Sequence, residues 1–192
     1  MRLVLILAAA LMFALSPAAA AAEEQNPTVT MNEAVQTVRN MLDKFKVKYT
    51  YDDTRDGRYV FALTYRLSNT KLAQTNVTIS VIASKKNPEN CARIMSYGYI
   101  GLKADENNMA SVAEFLHRAN YDMTFGNFEL DYNDGEIRYK MALNCTDKIP
   151  GDDAVRDALI IPLSMIERYG DGLLSVMMSS VAPKDAIEKI ES

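Results

Sequence analysis

The sequence contains few of the side chains that carry out chemistry in proteins. Its 192 residues include no tryptophan, a single histidine and two cysteines. A zinc site needs several His or Cys ligands, and His117 has neither a second histidine nor a CxxC pair to join it. No GxGxxG, P-loop, HExxH or GxSxG motif is present. We therefore predict a protein without a cofactor, a resident metal or an enzymatic activity.

A block of basic residues is also missing. The chain has a net charge of −4, and its acidic and basic residues are interleaved. Proteins that follow the phosphate backbone of nucleic acids need a continuous positive patch. We therefore predict that the protein does not bind nucleic acid. The mild acidity most simply contributes to solubility.

The long apolar run lies at the N-terminus. Arg2 precedes apolar residues 3–15, and Pro17 and the alanines of 18–22 follow. This is the order of a secretory signal peptide. We predict that residues 1–22 are cleaved near Glu23, and that the protein is periplasmic or secreted with no stable membrane insertion. The alternative is an uncleaved anchor, but a spanning helix needs about 20 apolar residues, and this run is barely long enough.

Two cysteines, Cys91 and Cys145, lie in the remaining chain. Export would bring them into an oxidising compartment, where thiols tend to pair. We therefore predict a disulfide, provided that the two Cα atoms lie within about 7 Å. The alternative is a pair of free, buried and inert thiols, because cysteine is among the most buried residue types.

The pattern of apolar residues divides the chain into helices and strands. A capping box at Thr30–Glu33 and helical spacing predict a first helix to about residue 46. Alternating residues predict strands before and after a second helix that begins at Met109, and the last two strands join at Asn133-Asp134-Gly135. A strand at 47–52 and a turn at Asp56-Gly57 are also predicted. The fold class is α+β, an antiparallel sheet packed by amphipathic helices in the order α-β-β-β-(β)-α-β-β-α.

The C-terminal third is predicted to be helical. A helix begins at Asp152 or Asp153, and Pro162 either kinks it near Ile161 or begins a second helix, because proline removes a helix hydrogen bond. Residues 169–172 are predicted to end it. The resulting domain plan is a disordered lead at 23–30, a domain at 31–181 and a short tail helix at 182–192.

Two groups of residues are candidates for function. The acidic hairpin, Glu129, Asp131, Asp134 and Glu136, resembles part of a calcium loop but lacks the bidentate glutamate at the required spacing. It is more simply a set of solvated residues. The second group could form an adaptable protein-binding surface, as methionine-rich surfaces do, although a buried core or dimer interface is the simpler interpretation. Its members are Met165, Leu173, Leu174, Met177 and Met178.

The segment at 112–143 resembles a known family. It contains Arg118-Ala119-Asn120-Tyr121, a strand with the pattern Gly126-x-Phe128-Glu129-Leu130-Asp131, and the turn and strand Asp134-Gly135-Glu136-Ile137-Arg138. These features resemble the YbjN domain family, and the resemblance extends over roughly 31–178. It implies a bacterial protein with a fold like that of type III secretion chaperones, whose relatives often dimerise and bind segments of other proteins. The resemblance implies no set of catalytic residues.

The sequence thus favours a non-enzymatic, exported protein that binds a protein segment or a second copy of itself. It would use one face of its sheet or its methionine-rich helices, in a chaperone, adaptor or regulatory role. One alternative is a carrier of a small apolar ligand or lipid, which predicts a closed cavity lined by Phe61, Tyr139 and Met165. Another is an unfamiliar enzyme, which predicts that Glu129 and Asp131 face into a cleft.

Overall fold

The structure, a computed structural model, describes residues 28–54 and 57–192. The predicted signal peptide, residues 23–27 of the predicted lead and Asp56 of the predicted turn lie outside the described residues. The described part of the chain forms four helices and six strands. In chain order these are α1 Met31–Lys44, β1 Thr50–Thr54, β2 Arg58–Arg66, β3 Gln74–Ala83, β4 Cys91–Lys103, α2 Met109–Tyr121, β5 Asn127–Leu130, β6 Glu136–Asn144, α3 Asp152–Met177 and α4 Pro183–Glu191.

The six strands form one antiparallel sheet in the order β1-β2-β3-β4-β6-β5. This confirms the predicted α+β class. The turn between β5 and β6 depends on Gly135, which has a φ of 75°. A Cβ atom there would collide with the carbonyl oxygen of Ala104. Only glycine fits this conformation and this approach, so the turn fixes how the hairpin joins the sheet.

One face of the sheet is covered by helices. Helices α1 and α3 pack on the central strands, α2 contacts β5, and α4 packs on α2 and α3. Apolar side chains alternate along each strand toward this inner face, as a half-buried sheet requires. They include Phe61, Leu63, Val77, Ile79, Val81, Ile94, Ile100, Phe128, Ile137, Tyr139 and Met141. The fold is therefore a two-layer α/β sandwich.

The interior contains two apolar clusters. The first lies under α1 and contains Phe61, Val77 and Ile79, and the second lies under α2 and α4 and contains Phe115 and Tyr139. Helix α3 contributes to both. Its first half supplies Val155, Leu159 and Leu163 to the first cluster, and its second half supplies Ile166, Tyr169, Leu173 and Val176 to the second.

Helix α3 differs from its prediction. It is one helix of 26 residues that runs through Pro162, so of the two predicted alternatives, a second helix beginning at that residue is wrong. The helix also continues past the predicted end at residues 169–172. A Cβ atom on Gly170 would lie 2.7 Å from Leu72, and one on Gly172 would lie 2.5 Å from Ile190. These glycines allow close packing on α3 and do not terminate it.

Both ends of the described chain are held by contacts with the domain. Thr30 forms the predicted capping box with Glu33 and bridges to Asn90, and Val29 is buried. At the other end, Ala186 and Ile187 of α4 are buried in the second cluster. Among the described residues, no helix combines the length and the apolar character needed to cross a bilayer.

Candidate functional site

The two cysteines are free in the structure, which therefore lacks the predicted disulfide. Both thiols are buried on the inner face. Cys145 pairs with Ala92, because its backbone N–H donates to the Ala92 carbonyl oxygen at 3.1 Å, so Cys91 lies diagonally to it across the ladder. The Cys91 thiol donates to the Arg93 carbonyl oxygen at 3.6 Å, and the Cys145 thiol donates to the Leu143 carbonyl oxygen at 3.8 Å. The neighbouring Cys91 thiol, together with burial, raises the pKa of Cys145. A thiol held in this protonated form is a poor nucleophile.

The acidic hairpin is held by local pairs. Glu129 accepts hydrogen bonds from Arg138 Nε at 2.9 Å and from Lys140 Nζ. The carboxylate of Asp131 accepts from the backbone N–H of Asn133 at 2.8 Å, which closes the turn. In residues 28–54 and 57–192, no three His, Cys, Asp or Glu side chains are grouped as metal ligands would be. Glu129, Asp131 and Glu136 do line an open depression of about 420 Å³ at the hairpin, together with Leu130, Tyr132 and Arg138. No helix residue lines it, and Glu129 is paired there with its two cationic partners.

The methionine-rich group is divided between interior and surface. Leu173 is buried in the second cluster, and Met165, Leu174 and Met177 are half-buried against it. Met178, which follows the last residue of α3, is 75% exposed. The predicted partner-binding role of this group stays a prediction, and Met178 is its one strongly exposed member.

The opposite face of the sheet is not covered by any described helix. We call it the open face. The strand register places its side chains in rows that cross the sheet, because residues directly opposite in a ladder point to the same side. Three middle rows are Thr50, Ala62, Thr78, Tyr97, Lys140; Asp52, Val60, Ser80, Met95, Ala142; and Thr64, Asn76, Tyr99, Arg138, Glu129. A fourth row at one end is Arg58, Ile82, Arg93, Asn144, and Arg66 pairs with Gln74 at the other end.

Large side chains stand together along β4. Met95, Tyr97 and Tyr99 are neighbours on the open face, and we call them the ridge. The Arg138 guanidinium lies 4.6 Å from the centroid of the Tyr97 ring, and the centroids of the two tyrosine rings are 6.3 Å apart. The Tyr97 hydroxyl donates to the Met95 sulfur at 3.8 Å. These contacts fix the ridge side chains without a helix above them.

Small side chains stand beside the ridge, on β2 and β3. Ala62, Thr64, Asn76 and Thr78 line a depression of about 320 Å³, together with Leu63 and Val77. It reaches Lys48 and Tyr49, which precede β1, and Thr50, the first residue of that strand. We call it the hollow. In the middle rows the open face is therefore stepped, low on β1–β3 and high on β4 and β6. At the two ends of β2 and β3 the larger side chains of Arg58, Ile82, Arg66 and Gln74 bound the low part.

The helical layer contains a separate cleft of about 460 Å³. Its walls include Tyr139 and Met165, two of the three residues predicted to line a ligand cavity. The third, Phe61, is buried in the first cluster and does not reach it. The cleft is open and not the closed cavity that was predicted. The other lining residues are Asp122, Met123, Thr124, Phe125, Ile161, Arg168, Tyr169 and Glu191.

Two tyrosine hydroxyls at this cleft stay protonated at neutral pH. Burial raises the pKa of Tyr139 to about 12, and its hydroxyl donates to the Phe125 carbonyl oxygen. Burial, aided by a 2.9 Å hydrogen bond to Glu191, raises the pKa of Tyr169 to about 12. The tyrosines therefore serve as fixed walls and hydrogen-bond donors at neutral pH.

The ridge lies in one of the strands predicted before the second helix. The sequence pattern did not indicate which side of that strand faces the helices. The alternation of Met95, Tyr97 and Tyr99 with Ser96 and Gly98 was the available signal. The smaller residues face the helices, because a Cβ atom on Gly98 would lie 2.7 Å from Ile166 of α3.

The fold and these surfaces define a class of protein, a two-layer α+β domain with one open sheet face. A family model, YbjN, described as "Putative bacterial sensory transduction regulator", matches residues 78–175, about half of the chain. The chain belongs to the YbjN family, as its resemblance at 112–143 predicted. The description is that of a regulator, in agreement with a regulatory or adaptor role. A comparison with curated proteins found no match.

Proposed function

We propose that this protein is a non-enzymatic regulator or adaptor that acts by binding another polypeptide through the open face. The observation that carries the proposal is the stepped open face itself. Met95, Tyr97 and Tyr99 are only half-buried there, in the centre of a sheet rather than at its edge. Aromatic and methionine side chains at the centre of a surface patch are typical of protein interfaces.

The distribution of charge supports the same proposal. The central strand β3 presents Asn76, Thr78 and Ser80 on this face, all uncharged. Arg138 and Lys140 stand on β6, toward the edge, where Glu129 pairs with both. The other arginines of this face, Arg58, Arg66 and Arg93, stand near the ends of β2 and β4. An apolar and uncharged centre with a charged rim is the usual anatomy of a binding surface.

We further propose that the protein is exported. The support is the order of charged, apolar and small residues over 1–22. Cell fractionation and the intact mass of the purified protein test this, and the expected mature chain begins at Glu23. A variant lacking residues 2–22 is the control and should remain in the cytoplasm. A full-length mass from the membrane fraction would contradict cleavage.

Binding through the open face is tested by capture from the exporting cell. A tagged wild-type chain is compared with Thr78→Arg, which places a long cation in the hollow, and with Tyr121→Arg. Tyr121 is 86% exposed and lies at the end of α2, away from the open face. The expected result is a stoichiometric polypeptide, whether an untagged copy or another protein, with wild type and Tyr121→Arg but not Thr78→Arg. Recovery of no polypeptide, or equal recovery with all three, would contradict the proposal.

A second candidate function is a carrier of a small apolar ligand. It is favoured by the cleft, since about 460 Å³ lies within the range of small-molecule sites and Met123, Phe125 and Met165 give it apolar walls. Titration with the fluorescent probe anilinonaphthalene sulfonate tests it. Saturable binding at one site, lost in Met165→Trp and kept in Met178→Trp, would support it. The absence of saturable binding would contradict the carrier function.

A further inference from the structure

The centre of the open face is basic although the chain is acidic. Strands β2, β3 and β4 are neighbours in the sheet, and none of their residues is an aspartate or a glutamate. On the open face these strands carry Arg58, Arg66 and Arg93. The chain as a whole has a net charge of −4. The centre of this face therefore has the opposite sign to the molecule.

The basic residues of the open face differ in how they are paired. On β6, Arg138 and Lys140 both contact Glu129, so that their charges are partly compensated. Arg66 and Arg93 are exposed, and neither forms an ion pair with another residue of the described chain. Two strong cations on this face are therefore available to a partner.

These cations lie at opposite ends of an uncharged strip. Arg93 shares its row with Arg58 at one end, and Arg66 is at the other end of β2. Arg58 and Arg66 are the first and last residues of β2, which places them about 26 Å apart at the rise of a strand. Lys48, in the wall of the hollow, adds a cation on the Arg66 side. Between the two ends, the open-face residues of β2 and β3 are uncharged, namely Val60, Ala62, Thr64, Asn76, Thr78 and Ser80.

We propose that the segment bound by the open face is acidic at both ends and uncharged in the middle, and that it lies along β2 and β3 beside the ridge. This inference rests on the proposed function, which it deepens by naming the chemistry of the partner. Carboxylates at one end of the segment pair with Arg93, and those at the other end pair with Arg66 and Lys48. The uncharged middle fills the hollow, and an extended segment of about eight residues covers the distance.

The arrangement of charge favours a polypeptide over a nucleic acid. A nucleic acid carries a phosphate on every nucleotide, so it binds to cations along its whole path. The path between Arg93 and Arg66 instead crosses the uncharged open-face residues of β3. Charges at the rim of an uncharged patch select and orient a partner that has the opposite charges at the matching positions.

Labelled synthetic peptides test this inference by fluorescence polarisation at low salt. The first peptide has glutamates at both ends of a middle of about six uncharged residues that include leucine. In two matched peptides, glutamines or lysines replace the glutamates. The acidic peptide should bind at least about fivefold more tightly than the glutamine peptide, and salt should reduce this difference because it screens exposed charges. The lysine peptide should bind most weakly.

Variants of the two unpaired arginines locate the binding site. Arg66→Gln and Arg93→Gln should each weaken binding of the acidic peptide about two- to fivefold, as for an exposed ion pair. Arg118→Gln is the matched control, because it removes the same charge from α2 in the helical layer and should leave the affinity unchanged. The double variant Arg66→Glu, Arg93→Glu should bind the lysine peptide more tightly than the acidic one. Thermal melts verify that each variant is folded.

The outcomes separate this inference from the proposed function. A preference for the acidic peptide that is reduced in both glutamine variants and reversed in the double variant supports the inference. Equal binding of the three peptides, binding of none, or equal weakening by Arg118→Gln overturns it. Tighter binding of a single-stranded oligonucleotide of the same charge also overturns it. The capture experiment with Thr78→Arg still decides independently whether the open face binds a polypeptide.

Discussion

The side chain of Asn120, in the last turn of α2, pairs with the backbone of Phe128 in the same way as a neighbouring strand would. Its amide donates to the Phe128 carbonyl oxygen at 3.0 Å, and its carbonyl oxygen accepts from the Phe128 N–H at 2.7 Å. Strand β5 is at the edge of the sheet, so these backbone groups have no strand beyond them. One amide thus satisfies an edge that would otherwise be unpaired.

We predict that Asn120→Ala lowers the free energy of unfolding by about 2 kcal/mol, because it leaves the N–H of the buried Phe128 without an acceptor. The Phe128 carbonyl oxygen keeps a hydrogen bond from Asn127 at 3.1 Å. Asn120→Asp restores an acceptor for the N–H and should cost less than half as much. Urea denaturation measures both variants. An Asn120→Ala protein as stable as wild type would show that the edge does not need the amide.

A second prediction concerns the packing of α3 on the sheet. In Gly98→Ala, the new Cβ atom would lie 2.7 Å from Ile166 Cδ1 and 3.2 Å from Pro162 Cβ. Overpacking of this kind should lower stability by about 1–3 kcal/mol. Ile166→Val removes the closer atom, so the double variant should lose less than the sum of the single variants. Simple additivity in a double-mutant cycle would contradict a direct clash.

A third prediction concerns pH. The backbone N–H of Ser68 holds the pKa of Glu167 below its ordinary value of 4.5, and that of Lys71 holds the pKa of Asp171 below 3.8. A lowered folded-state pKa stabilises the fold above the unfolded value, and this contribution is lost as pH falls through the folded value. The urea midpoint should therefore fall below about pH 4.

The Glu167→Gln and Asp171→Asn variants identify the source of this decrease. Each removes one titrating group but leaves an oxygen to accept from residues 68–71. Each variant should have a lower midpoint than wild type at pH 7 and a shallower decline toward pH 3. Parallel decline in all three proteins would assign the acid sensitivity to other carboxylates.

A fourth prediction concerns the cysteines. Because Cys91 and Cys145 are buried free thiols, neither should react with a thiol reagent in the native protein, and both should react in denaturant. The intact mass should be that of the reduced chain. A mass lower by two hydrogen atoms, with no thiol released on unfolding, would show that the pair is bridged after export.

Much of the fold could be predicted from local patterns. The capping box at Thr30, the helices at Met31 and Met109 and the turn at Gly135 depend on neighbouring residues, and the sequence contains that information. The behaviour of α3 could not be predicted in this way. Its passage through Pro162 and past Gly170 is decided by what packs against it, which includes a loop about 100 residues earlier in the chain.

The candidate surfaces were harder to predict for a related reason. The stepped open face exists because two ladders align Ala62, Thr78 and Tyr97 in one row. A strand pattern reveals which residues alternate, but not which residues of other strands stand beside them. The lining of the cleft was predicted in part, because Tyr139 and Met165 are both large side chains with apolar surface. Phe61 was predicted to line the same cavity for this reason, but it lies in the other cluster.

The long helix α3 crosses both apolar clusters and contributes to each. Heat or denaturant cannot unfold one apolar cluster and leave the other intact, because unfolding either cluster would separate α3 from the sheet. Loss of structure should therefore be all-or-none. A partner that docks on the sheet would therefore bind a domain that stays folded as a whole. Its binding would not be coupled to the opening of one part of the domain.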